Sequence, residues 1–167
     1  MAKRSDASAT AGTPATLALT RAGVPFAPRA YQHDPRAAAF GLEAAEKLGV
    51  EPARVYKTLL VSVDGGLVVG IVPVAEQLDL KALAQAVGGK RAEMADPAVA
   101  ERKTGYVVGG ISPIGQKTAL PTVLDESAIG FETILVSGGR RGLDLELAPD
   151  DLLAVTRGRY GAIARPR

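Results

Sequence analysis

The strongest constraint on the fold is the stretch 67–74, Leu-Val-Val-Gly-Ile-Val-Pro-Val, which is apolar without alternation. A strand of that kind is expected to be covered on both faces, so the chain needs a sheet with helices layered over it. Asp64-Gly65-Gly66 just before it is a tight-turn signal, which makes residues 55–63 its antiparallel partner. A second hairpin follows later, where Ser137-Gly138-Gly139-Arg140-Arg141-Gly142 turns the strand expected at 132–136 back into 143–147. Further strands are expected at 106–108 and 122–124, with an edge strand at 160–163. Residues 24–32 read as an extended segment whose prolines confine it to a sheet edge.

Helices fall between these strands. Thr13-Pro14 is an N-cap followed by a proline preorganised for the first turn, and that helix stops at Gly23. A second helix runs through Glu43, Ala44, Ala45 and Leu48 to Gly49. Asp79 caps a short one ended by Gly88-Gly89, Asp96-Pro97 opens another that ends near Gly105, and Pro149-Asp150-Asp151 opens the last. The resulting expectation is an α/β single domain over residues 13–167, with a mixed, curved, barrel-like sheet surrounded by helices. Residues 1–12, rich in Ala, Ser and Thr, read as a disordered tail.

Composition removes several kinds of chemistry. There is no cysteine and a single histidine, His33, so disulfides, thiolate metal sites and a cysteine nucleophile are excluded, and no metal site is expected. A reducing cytoplasm suits such a chain. The first residues lack the apolar core of a signal peptide, and no apolar run is long enough for a bilayer span. The net charge of +2 does not support coating of nucleic acid by bulk charge, although the pairs Lys90-Arg91, Arg102-Lys103 and Arg140-Arg141 permit a local basic patch. No Walker or dinucleotide glycine motif is present, and no cofactor is expected.

The loop 109–117, Gly-Gly-Ile-Ser-Pro-Ile-Gly-Gln-Lys, is the motif that remains. Ser112 fails as an elbow nucleophile, because Gly110 fits on one side but Ile114 stands where the second glycine belongs. The backbone amides of Gly109 and Gly110 are free of side-chain cover and are able to face a carbonyl oxygen or a phosphate, with Pro113 stiffening the loop. The plainer reading is a tight connection between strands. Lys57 breaks its strand: period-two alternation puts it with Val55, Leu59 and Val61, on a core face or a pocket wall, unless it lies at an edge and its ammonium reaches water. Asp144, between Leu143 and Leu145, either meets a ligand amine or Lys57, or simply shares an outward face with Glu146.

Five blocks in fixed order resemble the YbaK family. They are Tyr31-Gln32-His33-Asp34-Pro35, Val55-Tyr56-Lys57-Thr58-Leu59, Glu93-Met94-Ala95-Asp96-Pro97, the loop from Thr104 to Lys117, and the turn from Ser137 to Asp144. This family comprises bacterial Cys-tRNA(Pro) deacylases related to the editing domain inserted in prolyl-tRNA synthetase. The resemblance runs from about Thr13 to Arg165. It implies an enzyme that removes cysteine from mischarged Cys-tRNA(Pro), and from free Cys-tRNA(Cys), beside prolyl-tRNA synthetase. Lys57 matches the family's substrate-binding lysine, and Tyr31, Phe40, Thr58, Gly109 and Asp144 match other pocket positions. The motif Gly-x-x-x-Pro-x-Gly falls on Gly109, Pro113 and Gly115, bringing Gly110, Ile111 and Ser112 into the substrate-binding set. The implied mechanism has the substrate's own thiol attack the ester, with Lys57, Gly109 and Asp144 in the catalytic roles. A deacylase for another small amino acid such as alanine on tRNA(Pro), and a non-catalytic module that binds a tRNA end or nucleotide, are the alternatives. The oligomeric state is left open by the sequence.

Overall fold

The computed structural model describes residues 12–37 and 39–167; the tail expected over 1–12 lies, but for Gly12, outside them. In chain order the elements are α1 Pro14–Ala22, β1 Ala27–Ala30, α2 Phe40–Leu48, β2 Tyr56–Val63, β3 Gly66–Pro73, β4 Gln77–Leu78, α3 Leu80–Ala86, β5 Ala92–Met94, α4 Pro97–Thr104, β6 Thr122–Asp125, β7 Ile134–Arg140, β8 Leu143–Leu147, α5 Pro149–Thr156, β9 Arg159–Gly161 and β10 Ala164–Arg165, with short 3-10 turns at Pro52–Arg54 and Glu126–Gly130.

The expected caps form. The Thr13 hydroxyl accepts the Thr16 N–H, the Asp79 carboxylate accepts that of Ala82 and the Asp96 carboxylate that of Ala98, each satisfying an amide that a helix start leaves unpaired. The apolar strand β3 lies inside a five-stranded sheet of order β5-β2-β3-β6-β9, antiparallel to β2 and parallel to β6. A three-stranded antiparallel sheet of order β1-β8-β7 stands beside it, with β1 at the edge. Their one bridge among the described residues is Val55 to Leu135.

Two expectations change. The sheet is mixed, as expected, but it does not close: the outer strands β5 and β9 are three residues long and have no strand on their far sides among the described residues, so the sheets remain separate rather than forming a barrel. Residues 106–108 are a turn, not a strand. Gly105 ends α4 in the left-handed region at φ +82°, the buried Tyr106 sends its hydroxyl to the Ile114 carbonyl at 2.6 Å, and the Glu101 carboxylate accepts the Val108 N–H at 2.8 Å. Val107, apolar but 65% exposed, therefore belongs to a surface turn rather than to a core strand.

The two faces of β8 have different jobs. Leu143, Leu145 and Leu147 enter the main core with Ile134 and Val136. The alternate residues, Asp144 and Glu146, face the side on which Leu135 packs against Ala44 and Ala45 of α2. That side, roofed by α2 and bounded by β2, is where the cavity opens.

Candidate functional site

β2 is open along half its length. β5 pairs only with Val61, Ser62 and Val63, so Tyr56 to Leu59 have no strand on that side. The cavity, about 470 Å³, lies against this stretch. Its polar wall carries Tyr31, Lys57, Thr58, Ser137, Arg140 and Asp144, and Arg167 joins them. Phe40, Leu59, Met94, Val108, Gly109 and Ile111 supply apolar or backbone surface.

Lys57 is half-buried and forms no ion pair among the described residues. Loss of water around the ammonium, then repulsion from Arg167, holds its pKa below the ordinary lysine value. Asp144 is only 6% exposed. Burial drives its carboxyl up to about 7, against a smaller downward pull from Arg29. The two groups share the cavity but not a salt bridge, so the pairing of Lys57 with Asp144 that the sequence allowed does not form. Tyr31, whose pKa burial and the Asp144 charge push to about 12, remains a neutral donor. The Thr58 hydroxyl is the one buried side-chain polar atom without a hydrogen-bond partner among the described residues. Such an orphan costs about 1–3 kcal/mol, an expense that a bound ligand would remove.

Phe40 is held from both sides. The Arg141 guanidinium lies 4.6 Å from its ring centroid, while His33 approaches it at 5.7 Å between centroids, tilted by 53°. His33 is in turn fixed by Glu43 at 2.8 Å, and Glu43 also accepts the Asp34 N–H at 2.7 Å. Burial raises the Glu43 carboxyl, but the hydrogen bonds from Asp34, His33 and Lys47 outweigh it and leave the group below the usual carboxylate range. Arg141 donates a second bond, 2.6 Å, to the Val108 carbonyl. One arginine thus joins Phe40 to the turn that carries Gly109.

The glycine loop divides. Gly109 and Ile111 reach the cavity; Gly110, Ser112, Pro113 and Gly115 do not line it. The Gly110 amide is already spent on the Val107 carbonyl at 2.9 Å, which removes it as a donor to substrate, whereas the Gly109 amide has no partner among the described residues. Ser112 is fully buried, and its hydroxyl accepts the Ile114 N–H at 3.2 Å, the turn-forming role rather than a nucleophilic one. Gly115, at φ +70°, sits so close to α1 that a Cβ would lie 2.5 Å from the Pro14 carbonyl oxygen. Gly115→Ala is therefore expected to lower stability by about 1–3 kcal/mol, read as a fall in Tm, with KM unchanged. A raised KM with an unshifted melt would place Gly115 in the cavity after all.

Ser137, Arg140, Met94, Leu59 and Arg167 are cavity residues that sequence reasoning missed. The sequence reading puts Ser137 at the start of the turn, but the strand continues to Arg140 and an irregularity between Ser137 and Arg140 sets Ser137 opposite Asp144. Arg167 carries no sequence signal, because long-range packing brings it in, whereas Met94 stands in the block 93–97 that carries the resemblance, though not among the pocket positions matched there.

The family model for the aminoacyl-tRNA editing domain matches residues 35–155, which takes in Lys57, the glycine loop and Asp144. The chain belongs to the aminoacyl-tRNA editing domain family. Among relatives of this editing domain, a protein of Enterococcus faecalis named as a candidate Cys-tRNA(Pro)/Cys-tRNA(Cys) deacylase, EbsC, is 46% identical over 120 residues, covering 71% of this chain and 73% of that one. A proline–tRNA ligase of Maridesulfovibrio salexigens is 34% identical over 100 residues, 60% of this chain but only 17% of the ligase. Among solved structures, that of a candidate trans-editing enzyme for prolyl tRNA synthetase superposes with a TM-score of 0.78 at 26% identity, covering 91% of this chain and 95% of that one. The editing-domain chain is an aminoacyl-tRNA deacylase by this membership, and no helix among its described residues is long and apolar enough to cross a membrane.

Proposed function

We propose that the cavity removes cysteine from mischarged Cys-tRNA(Pro), acting in trans beside prolyl-tRNA synthetase, and that the attacking group belongs to the substrate. The observation that carries this reading is the cavity wall itself. It holds an unpaired cation, Lys57, and an unpaired carboxyl, Asp144, yet no cysteine or histidine lines it. The Ser137 hydroxyl already accepts the Gly139 N–H.

The bonds balance without a protein nucleophile. The cysteine sulfur attacks its own ester carbonyl carbon, the carbon–oxygen bond to the ribose breaks, and a cyclic thiolactone leaves. The thiol proton ends on the ribose oxygen. What the protein supplies is a folded substrate and support for the oxyanion. Asp144 suits the α-ammonium, Lys57 suits the terminal phosphate or ribose of the acceptor end, and the Gly109 amide is the available oxyanion donor. The apolar wall of Leu59, Met94 and Ile111 accommodates a small side chain.

Lys57→Ala tests the assignment. A charge-assisted contact contributes about 1.5–3 kcal/mol, so kcat/KM for Cys-tRNA(Pro) is expected to fall roughly tenfold to a hundredfold, with the melting temperature unchanged or higher because an unpaired, partly buried ammonium is removed. Unchanged deacylation together with unchanged tRNA affinity would eliminate Lys57 from the site. Side-by-side assays of Cys- and Ala-tRNA(Pro), with and without prolyl-tRNA synthetase, decide the substrate. Equal or faster release of alanine would replace the cysteine assignment with the broader small-residue one. Tight binding with no turnover would make the cavity a binding module.

A further inference from the structure

One face of the small sheet carries two carboxylates, and two nearby arginines pair with them unevenly. Arg29 stands directly opposite Asp144 in the antiparallel register of β1 and β8. Its guanidinium nonetheless bonds Glu146 at 2.5 Å and reaches the Leu48 carbonyl at 3.5 Å. Arg54, from the 3-10 turn before β2, also goes to Glu146, at 3.0 Å, and to the Thr133 hydroxyl at 2.8 Å. Thr133 in turn donates to the same Glu146 oxygen at 2.6 Å. Arg29, Arg54 and Thr133 thus all converge on Glu146, and none of them bonds Asp144.

The carboxylate that takes both arginines is the one further from the cavity. Glu146 does not line it and Asp144 does. Tyr31, Ser137, Lys57, Arg140 and Arg167 share the cavity wall with Asp144, but Arg29 is the only cation in strand register with it. From α2, Glu43 faces Tyr31 and is itself held by His33 and Lys47. Burial first, with the Arg29 charge opposing it, sets the Asp144 titration high. On Glu146 the hydrogen bond from Thr133 outweighs burial, and with help from Arg29 and Arg54 it holds that group low.

We propose that Glu146 is a positioning residue of the editing site: by holding Arg29, it keeps Asp144 free of a cationic partner and open to the cation of the substrate. This inference rests on Asp144 being a site residue, but its physical core does not. An Arg29–Asp144 pair would fill the carboxylate with an internal guanidinium, and an incoming α-ammonium would have to displace it.

The experiment is a carboxyl-carbon NMR titration of Asp144 in four proteins: wild type, Glu146→Gln, Arg29→Met, and the double variant. Gln at 146 keeps an oxygen for Thr133 and Arg54, and a thermal melt checks that each variant is folded. In E146Q the Asp144 midpoint is expected to fall by about one unit or more as Arg29 swings to it, and to return in the double variant, where no guanidinium remains to swing. An unmoved midpoint in E146Q overturns the proposal. So does a rise of more than about one unit in R29M alone, since Arg29 would then already be the partner of Asp144. Deacylation gives the second readout: E146Q is expected to raise KM for Cys-tRNA(Pro) and shift the acidic limb of the pH profile downward, both reversed in the double variant. A shifted NMR midpoint with unaltered kinetics supports the sequestration and removes Asp144 from the proposed reaction, so the two failures are told apart.

Discussion

α-Aminobutyryl-tRNA(Pro) is expected to be released at least about a thousandfold more slowly than Cys-tRNA(Pro), with little change in KM. The two side chains are close in size, a methyl replacing the thiol, so both fill the apolar part of the cavity alike. They differ in whether the substrate carries its own nucleophile. A well-oriented intramolecular group corresponds to an effective concentration of about 10⁵–10⁸ M; strain in the small thiolactone ring takes back part of that advantage and leaves several powers of ten. The wall offers little to replace it, since Ser137 is bonded to Gly139 and Ser112 is sealed in its turn. The measurement is single-turnover release of each amino acid from the same tRNA. Release of the cysteinyl product as thiolactone, trapped by an added amine, supports the path directly. Comparable rates for the two substrates would sink thiol participation and leave water as the nucleophile, with Asp144 as its base.

Much of this was legible in the chain, for identifiable reasons. The caps at Thr13, Asp79 and Asp96 are local devices, and they form as read. The apolar run of β3 demanded cover on both faces and has it: Val69 and Ile71 enter one core cluster, Val68 and Val72 another. The failures are equally physical. Tyr106-Val107-Val108 has strand-forming residues, but the Glu101 and Ile114 contacts bind it as a turn, and strand propensity does not register such polar contacts seven and eight residues away. Closure of the sheet depends on how far β5 and β9 extend, which alternation does not encode. At the site, Lys57 declared itself by interrupting an apolar strand. The division of the glycine loop into Gly109 on the wall and Gly115 against Pro14 was not readable, because spacing alone does not show which backbone a glycine approaches. Nor did the pattern Leu-Asp-Leu-Glu-Leu separate Asp144 from Glu146: both occupy the same face, and only Arg29, Arg54 and Thr133 tell them apart.

Asp144→Asn should make the protein more stable and less active, and the stability gain should depend on pH in a set direction. Burial raises the folded-state pKa from 3.8 to about 7. Below the unfolded value the carboxyl is protonated in both states and contributes nothing. As pH rises from about 4 to about 7, the unfolded chain gives up this proton while the folded chain keeps it. The folded state then binds more protons, and stability falls with pH through that window before levelling off. Each unit of difference is 1.36 kcal/mol, so the wild-type penalty above about pH 8 reaches up to about 4 kcal/mol. Asn keeps the shape and cannot ionise, which removes the penalty. Urea unfolding should therefore find the variant and the wild type nearly equal below about pH 4 and the variant clearly more stable above about pH 8. An equal gap at both ends would show that burial of the charge is not what destabilises the wild type. The same substitution removes the anion proposed to meet the α-ammonium, so KM for Cys-tRNA(Pro) should rise by about tenfold to a hundredfold. In the proposed reaction that loss of stability is offset by function, because an unpaired acid in a buried wall is what a cationic substrate can use.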